Sequence, residues 1–494
     1  MAYTHGVKTS EVATSLLPPV QSDSGIPFIV GAAPINMTED VTNVNNPKLC
    51  YSYAEAVKDF GYAAPVDDAA SGLKKHEFTI SEFIKSHFAF FQSAPVVIVN
   101  VLDPKKHFTK ATASVVNFDA ITGVATIKEK GILLDSVTLN TSDKVDSGKF
   151  LASFDEEGNL VLAAEKNDEG EFFYALGEEI TFTANKLDPS AVTEEDIIGG
   201  ITAAGVRSGL ELVEEVFSRF RVVPSVLLAP YYSSNPSVAA VLAAKALGIN
   251  KVYQAGVCLI DAPTSGEQAV YSGVPKWKNA NNIVNKTQVI CYPRLNVDGV
   301  IYAMSTQMAG IIAKTDGANE SVPYVSPSNK VLTATGTVLD DGTEVFLTQD
   351  EAGYLNGQGI VTALNFIGGW VLWGNRTACY PDNTDPKDSF IPVRRMFAWL
   401  NNQLVQNYWS KVDNPMNLRQ VDTVIDSANV WLNGLSARQY LLGGRVEFLE
   451  TENPTTDLMD GISKFHVFFT PPSPNKEIDF IMEYDPSYIQ TLFE

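Results

Sequence analysis

Val226-Leu227-Leu228-Ala229-Pro230 is an apolar run stopped by proline; Asn235-Pro236 follows, then an alanine-rich stretch ending at Gly248. Asn offers a side-chain oxygen to the exposed amides of a helix start, Pro suits a first turn, and Gly closes a last one. The segment therefore reads as a strand, a turn and a capped helix. Outward from it the same rhythm repeats. Residues 251–260 and 288–292 read as strands and 303–313 as a helix. Upstream, Ser208 and Glu211 have the spacing of a capping box before Leu212, Val213, Val216, Phe217 and Phe220 at helical intervals. Further upstream, 26–31 (IPFIVG) and 94–103 (APVVIVNVLD) are runs of the kind buried in parallel sheets, with a helical pattern at 81–91 between them. Alternating strands and helices predict an α/β domain on a mostly parallel sheet.

The rhythm breaks in three places. Residues 106–196 turn to short alternating stretches punctuated by Gly158-Asn159 and Asn167-Asp168-Glu169-Gly170, the pattern of a β-sandwich or small barrel inserted into the α/β domain. Beyond 366, Ile367-Gly368-Gly369-Trp370-Val371-Leu372-Trp373 leads to an amphipathic helix at 391–410, with Val393, Met396, Phe397, Leu400, Leu404, Val405 and Tyr408 as its stripe. The two ends look like arms. Val7, Thr9, Glu11 and Val12 lie in a short β-like run near the start, and Ile478, Phe480, Met482 and Tyr484 share one face of a period-two run near the end. Neither run has a local partner.

A length of 494 residues suggests about three domains. Hydrophobic residues at 45% and charged ones at 19% are ordinary for a folded protein. The start has no basic-then-apolar leader and no run of about 18 apolar residues occurs, so synthesis and retention in a cytoplasm without membrane insertion are expected. Cys50, Cys258, Cys291 and Cys379 lie far apart and read as buried free thiols. A net charge of −22 opposes nucleic-acid binding. Residues 106–196 hold 8 Lys/Arg and 18 Asp/Glu, a balance of −10, whereas 376–445 hold 8 and 6, a balance of +2. The acidic stretch should face solvent, and the mildly basic one, with Arg394, Arg395 and Arg438, could meet an acidic partner.

No sequence pattern for catalysis, cofactor or metal emerges. Four of the five histidines fall in segments read as arm, linker or surface, and no nucleophile elbow, zinc-protease or phosphate-loop motif is present. The acidic clusters Asp155-Glu156-Glu157 and Glu194-Glu195-Asp196 read as solvated turns. Ser305-Thr306-Gln307-Met308-Ala309 resembles the helix-start motif of subtilisin-like proteases, but Gln307 stands where their serine nucleophile would be. That resemblance extends to fold alone.

Several signatures in order resemble the phage tail sheath family: His5-Gly6-Val7 with Glu11-Val12; Leu227-Leu228-Ala229-Pro230; Ser326-Pro327-Ser328-Asn329; Trp373-Gly374-Asn375-Arg376-Thr377; and Arg394-Arg395-Met396-Phe397. The resemblance implies a multi-domain α/β and α+β chain. Its parts would be an N-terminal arm (1–22), a non-catalytic subtilisin-like α/β domain (23–105 and 197–365), an inserted outer β-sandwich (106–196), a C-terminal α+β domain facing a tube (366–475) and a C-terminal linker strand (476–494). It also implies hexameric rings stacked helically around an inner tail tube protein, with baseplate and tail terminator proteins as further partners, in a virion tail or phage-tail-like particle made in a bacterial cytoplasm. Two other readings stay open at this point, a static shell or surface-layer protein and an α/β hydrolase.

Overall fold

The computed structural model describes residues 24–119, 121–140, 145–146, 149–155, 158–173 and 180–493. Val7, Thr9, Glu11 and Val12, the N-terminal arm residues, lie outside them.

A nine-stranded sheet organises the body. Its strands in chain order are β1 (Pro27–Gly31), β2 (Lys48–Cys50), β3 (Val96–Asn100), β4 (Val226–Leu228), β5 (Val257–Asp261), β6 (Gln288–Cys291), β7 (Lys330–Val331), β8 (Ile360–Asn365) and β9 (Trp370–Trp373). Their spatial order is β7-β9-β8-β6-β5-β4-β1-β3-β2. The six strands from β8 to β3 are mutually parallel, and β2, β9 and β7 add antiparallel at the edges. Every residue of β1, β3 and β5 is buried, which is why these strands are apolar instead of alternating up to the polar residues, Asn100 and Asp261, that end β3 and β5. Cys258 and Cys291 sit within β5 and β6 as buried free thiols, and Cys50 and Cys379 are buried too. The sheet runs on to Trp373, so the segment 366–373 belongs to it and not to the C-terminal part to which the sequence reading gives it.

Four helices matter below: α1 (Pro236–Leu247), α2 (Met304–Gly317), α3 (Ile391–Tyr408) and α4 (Leu418–Ala437). Asn235 caps α1 by accepting from the Ser237 amide at 2.8 Å. Gly248 ends it with extended backbone (φ −161°), not the left-handed turn its identity suggests. The capping box expected at Ser208 and Glu211 does not form. Ser208 Oγ instead accepts from the Gly200 amide, and Glu211 accepts from Lys245 on α1 at 2.7 Å, so both side chains are engaged by partners outside the helix start.

Between β3 and β4 the chain builds two antiparallel sheets, one of three strands and one of four, around a core of its own that includes Leu139, Leu160, Leu162, Ile180 and Phe182. His107 stands at the root of this excursion. Its Nδ1 accepts from the Asp103 amide at 2.9 Å, and its Nε2 lies 3.3 Å from Asp196, so entry and exit are held together. Asp196 also accepts from the amide and hydroxyl of Thr193, which makes 194–196 a structured helix start as well as an acidic surface.

After β9 the chain leaves the sheet through α3. Ile391 packs in the body's core, whereas Met396, Trp399 and Leu400 join Ala428, Leu432 and Leu435 of α4 in a separate one. An antiparallel hairpin, β10 (Gly443–Glu447) and β11 (His466–Thr470), completes this part, with Val446 and Val467 on the α4 side.

Candidate assembly surfaces

The residues beyond β11 are the part of the described chain that its own fold does not use. Pro471-Pro472-Ser473-Pro474 leads away from the hairpin, 471–485 have no regular structure, and Pro486–Phe493 form a short 3-10 turn. The side chains of Ile478, Phe480, Met482 and Tyr484 are 66, 81, 93 and 77% exposed. The alternation that reads as a strand is thus present in sequence, but no strand forms within this chain. Burial of one such side chain is worth about 1.5–3 kcal/mol, so a tail of this composition in water is waiting for a cover.

Open edges lie close by. Among the described residues the hairpin is only two strands wide, so one edge of β10 and one of β11 present unpaired amides and carbonyls, the template for an added strand. At one edge of the large sheet, β7 pairs, among the described residues, with β9 alone and is exposed.

The basic candidates divide. Arg395 is 3% exposed and makes a two-pronged ion pair with Asp316 of α2, one prong at 3.1 Å, while Asp316 also accepts from Ser24 Oγ at 2.8 Å. Arg394 is likewise buried, with Asp388 at 3.4 Å and Gln254 at 3.3 Å. These two side chains are therefore withdrawn as surface contacts. A guanidinium inside the fold must be paired, and both are paired within the chain. Arg438 is half-exposed, pairs with Glu320 at 2.9 Å and remains at the surface.

Where a catalytic crevice of an α/β sheet would lie, beyond the carboxyl ends of its strands, a closed polar cluster sits instead. Asp261 at the end of β5 accepts from the Ser305 amide at 3.1 Å and from Ser305 Oγ at 2.6 Å, and Arg294 lies 3.5 Å from it. Arg294 also reaches Asp340 at 2.9 Å. Glu82 accepts from Tyr231 Oη at 2.6 Å and from the Ala303 amide at 2.9 Å. Gln307 clamps the backbone of Thr333, donating to its carbonyl at 2.7 Å and accepting from its amide at 3.0 Å. Glu82, Asp261, Ser305 and Gln307 have no exposed surface, and the Ser305 hydroxyl donates to a carboxylate where a nucleophile would need an imidazole. His76 and His107 are buried, a correction to their reading as linker or surface groups, and His87, in the stretch read as helical, is buried too. His87 stacks on Phe83, and burial lowers its pKa to about 3, so it is neutral. Among the described residues no group of His, Cys, Asp and Glu could hold a metal, and no helix is long and apolar enough to cross a membrane.

Burial raises the Glu82 pKa to about 7, against the hydrogen bonds from Tyr231 and Ala303, which lower it. A carboxyl with a folded pKa above its unfolded value of about 4.5 holds its proton more tightly in the folded state. Its contribution is complete below pH 4.5 and is lost as pH rises through 7, by on the order of 3 kcal/mol. Glu82→Gln, always neutral, is expected to flatten the stability profile between pH 5 and 8 in denaturant titrations; identical slopes for both proteins would refute this.

No family model matches the chain. It is 28% identical over 525 aligned positions to the tail sheath protein of Burkholderia phage BcepMu, covering 99% of this chain and 98% of the other. The major tail sheath protein of Serratia phage KSP20 is 25% identical over 320 positions, 63% of this chain and 76% of that one. Among solved structures, the contracted sheath complex of the extracellular contractile injection system PVC superposes with a TM-score of 0.57 at 14% identity, covering 99% of both chains. The contracted helical sheath of the anti-feeding prophage superposes at 0.55 and 16%, covering 98% of this chain and all of the other.

Proposed function

From homology with phage tail sheath proteins over its full length, we propose that this chain is a structural subunit of a contractile sheath, in a virion tail or phage-tail-like particle. The observation that carries the reading is the exposed apolar tail beyond β11, in a molecule whose hairpin edges are open. Strand addition between copies satisfies both at once: the tail gains hydrogen bonds and cover, and the hairpin loses its edges. Residues 1–22, with Val7, Thr9, Glu11 and Val12, act as a second arm of the same kind.

In this reading the body built on the large sheet is a subtilisin-like scaffold without catalysis. Residues 106–196 form an inserted β-sandwich that carries its −10 balance on the outside of the particle. The part with α3, α4 and the hairpin faces an inner tube protein, with Arg438 as a contact. Subunits form hexameric rings that stack helically, and baseplate and terminator proteins close the ends. Contraction turns rigid bodies that stay joined by their arms, and greater burial between bodies supplies the work, at about 25 cal/mol per Å² of apolar surface. No nucleotide or cofactor enters. The cluster around Ser305 gives the hydrolase reading no support, since its hydroxyl, carboxylates and guanidinium satisfy one another inside the fold.

Electron microscopy of the purified full chain tests the proposal. Hollow contracted cylinders are the expected result; flat lattices would favour a surface layer, and dispersed particles at every concentration would overturn the assembly reading.

A further inference from the structure

We propose that the groove beside the end of β11, between the Ser326–Asn329 turn and the Trp373–Arg376 turn, receives the acidic face of another copy's C-terminal tail. The inference rests on the reading of that tail as a strand donated between copies.

The chain carries 58 acidic against 36 basic residues, yet no Asp or Glu lines this groove of 690 Å³, while Lys330, Arg376 and Lys476 do. Their charges are not neutralised at home. Arg376 donates to Ser389 Oγ at 2.6 Å and lies over the rings of Phe390 and Tyr380, at 3.6 and 4.5 Å, an arrangement that orients the guanidinium but leaves its charge. Among the described residues, none of the three cations has a carboxylate partner. Behind the wall, the buried Lys278 ammonium donates to the carbonyls of Gln358 and Tyr380, at 2.6 and 2.7 Å, and adds to the positive field. In a protein of net charge −22, a concave surface without acids is a place built for an anion.

The tail supplies one of matching form. Glu477, Asp479, Glu483 and Asp485 alternate with Ile478, Phe480, Met482 and Tyr484, so an extended tail has an apolar face and a face of four carboxylates interrupted by Ile481. The groove also lies on the path such a strand would take, because its wall at 472–476 is the direct continuation of β11. The apolar face covers the hairpin, and the carboxylates beyond it meet the cations.

Paired charge reversal in the full chain tests this. Lys330→Glu with Lys476→Glu is expected to raise the concentration needed for tube formation about tenfold, measured by sedimentation of polymer. Reversal of the tail (Glu477→Lys, Asp479→Lys, Glu483→Lys and Asp485→Lys) should do the same, and the combined variant should recover most of the loss. All six positions are at the surface, so each variant is expected to keep the wild-type Tm. Tubes from the groove variant at wild-type concentration would overturn the inference, as would a combined variant no better than its parents. A wild-type chain that forms no tubes removes the assembly reading itself, a result separate from either.

Discussion

A chain ending at Lys476 is expected to fold and melt as the full-length protein does, within about 2 °C, and to yield no tubes. Both halves of the outcome follow from where the tail is. Its apolar side chains touch none of the cores: Phe480, Ile481 and Met482 are each more than 80% exposed, so their removal takes nothing from the fold. With Ile478 and Tyr484 they are unburied apolar surface that the described chain could give to a neighbour. At about 1.5–3 kcal/mol per buried side chain, four of them are worth roughly 6–12 kcal/mol before ordering costs, enough to decide between polymer and monomer. Sheath-like cylinders from the shortened chain, seen by electron microscopy, would end the strand-donation account. A large fall in Tm would show that the tail packs on its own subunit.

Asp316→Ala is expected to destabilise the subunit by about 3–5 kcal/mol, because it leaves the Arg395 guanidinium buried and unpaired. Ser24 loses its acceptor in the same stroke. Three segments meet at this carboxylate: the start of the described chain, the end of α2 in the body, and α3, which carries the C-terminal part. Replacing both partners, Asp316→Leu with Arg395→Met, should recover most of the loss, since an apolar pair of similar volume leaves no charge to desolvate. Chemical denaturation of the three proteins measures it, and a single variant within 1 kcal/mol of wild type would show that water reaches the pair.

Local grammar in the sequence carries much of the body. The run 226–230, the capped helix after it and the strands at 27–31 and 96–100, apolar up to Asn100, are legible because a strand buried on both faces has few polar positions to confuse the pattern. The change of pattern at 106–196 is legible for the opposite reason: strands covered on one face alternate. What local reading misses is whatever depends on a distant partner. Arg395 looks like a surface charge because its partner is distant, Asp316 being 79 residues away, and Arg394 because half of its pairing, to Gln254, is 140 residues away although Asp388 is close in sequence. Ser208 and Glu211 have the spacing of a cap, but their partners are Gly200 and Lys245. Nothing in the helical pattern at 81–91 marks His87 as buried until Phe83 and Phe88 close on it. The hairpin escapes notice because Gly443-Gly444-Arg445 breaks the alternation that marks a strand. The helix α4 could have been found from Val424, Ala428, Leu432 and Leu435, spaced by four, four and three.

The proline-rich exit from the hairpin has a consequence for any array of these molecules. Chains of this composition prefer an extended, semi-rigid form rising about 3.1 Å per residue, so 471–474 make a strut of roughly 12 Å between the hairpin and the exposed tail. A rod pivoting at one end keeps its length while its bearing changes. Two lattices of different pitch could then be built on the same bonds, the difference lying only in the compass direction of each rod.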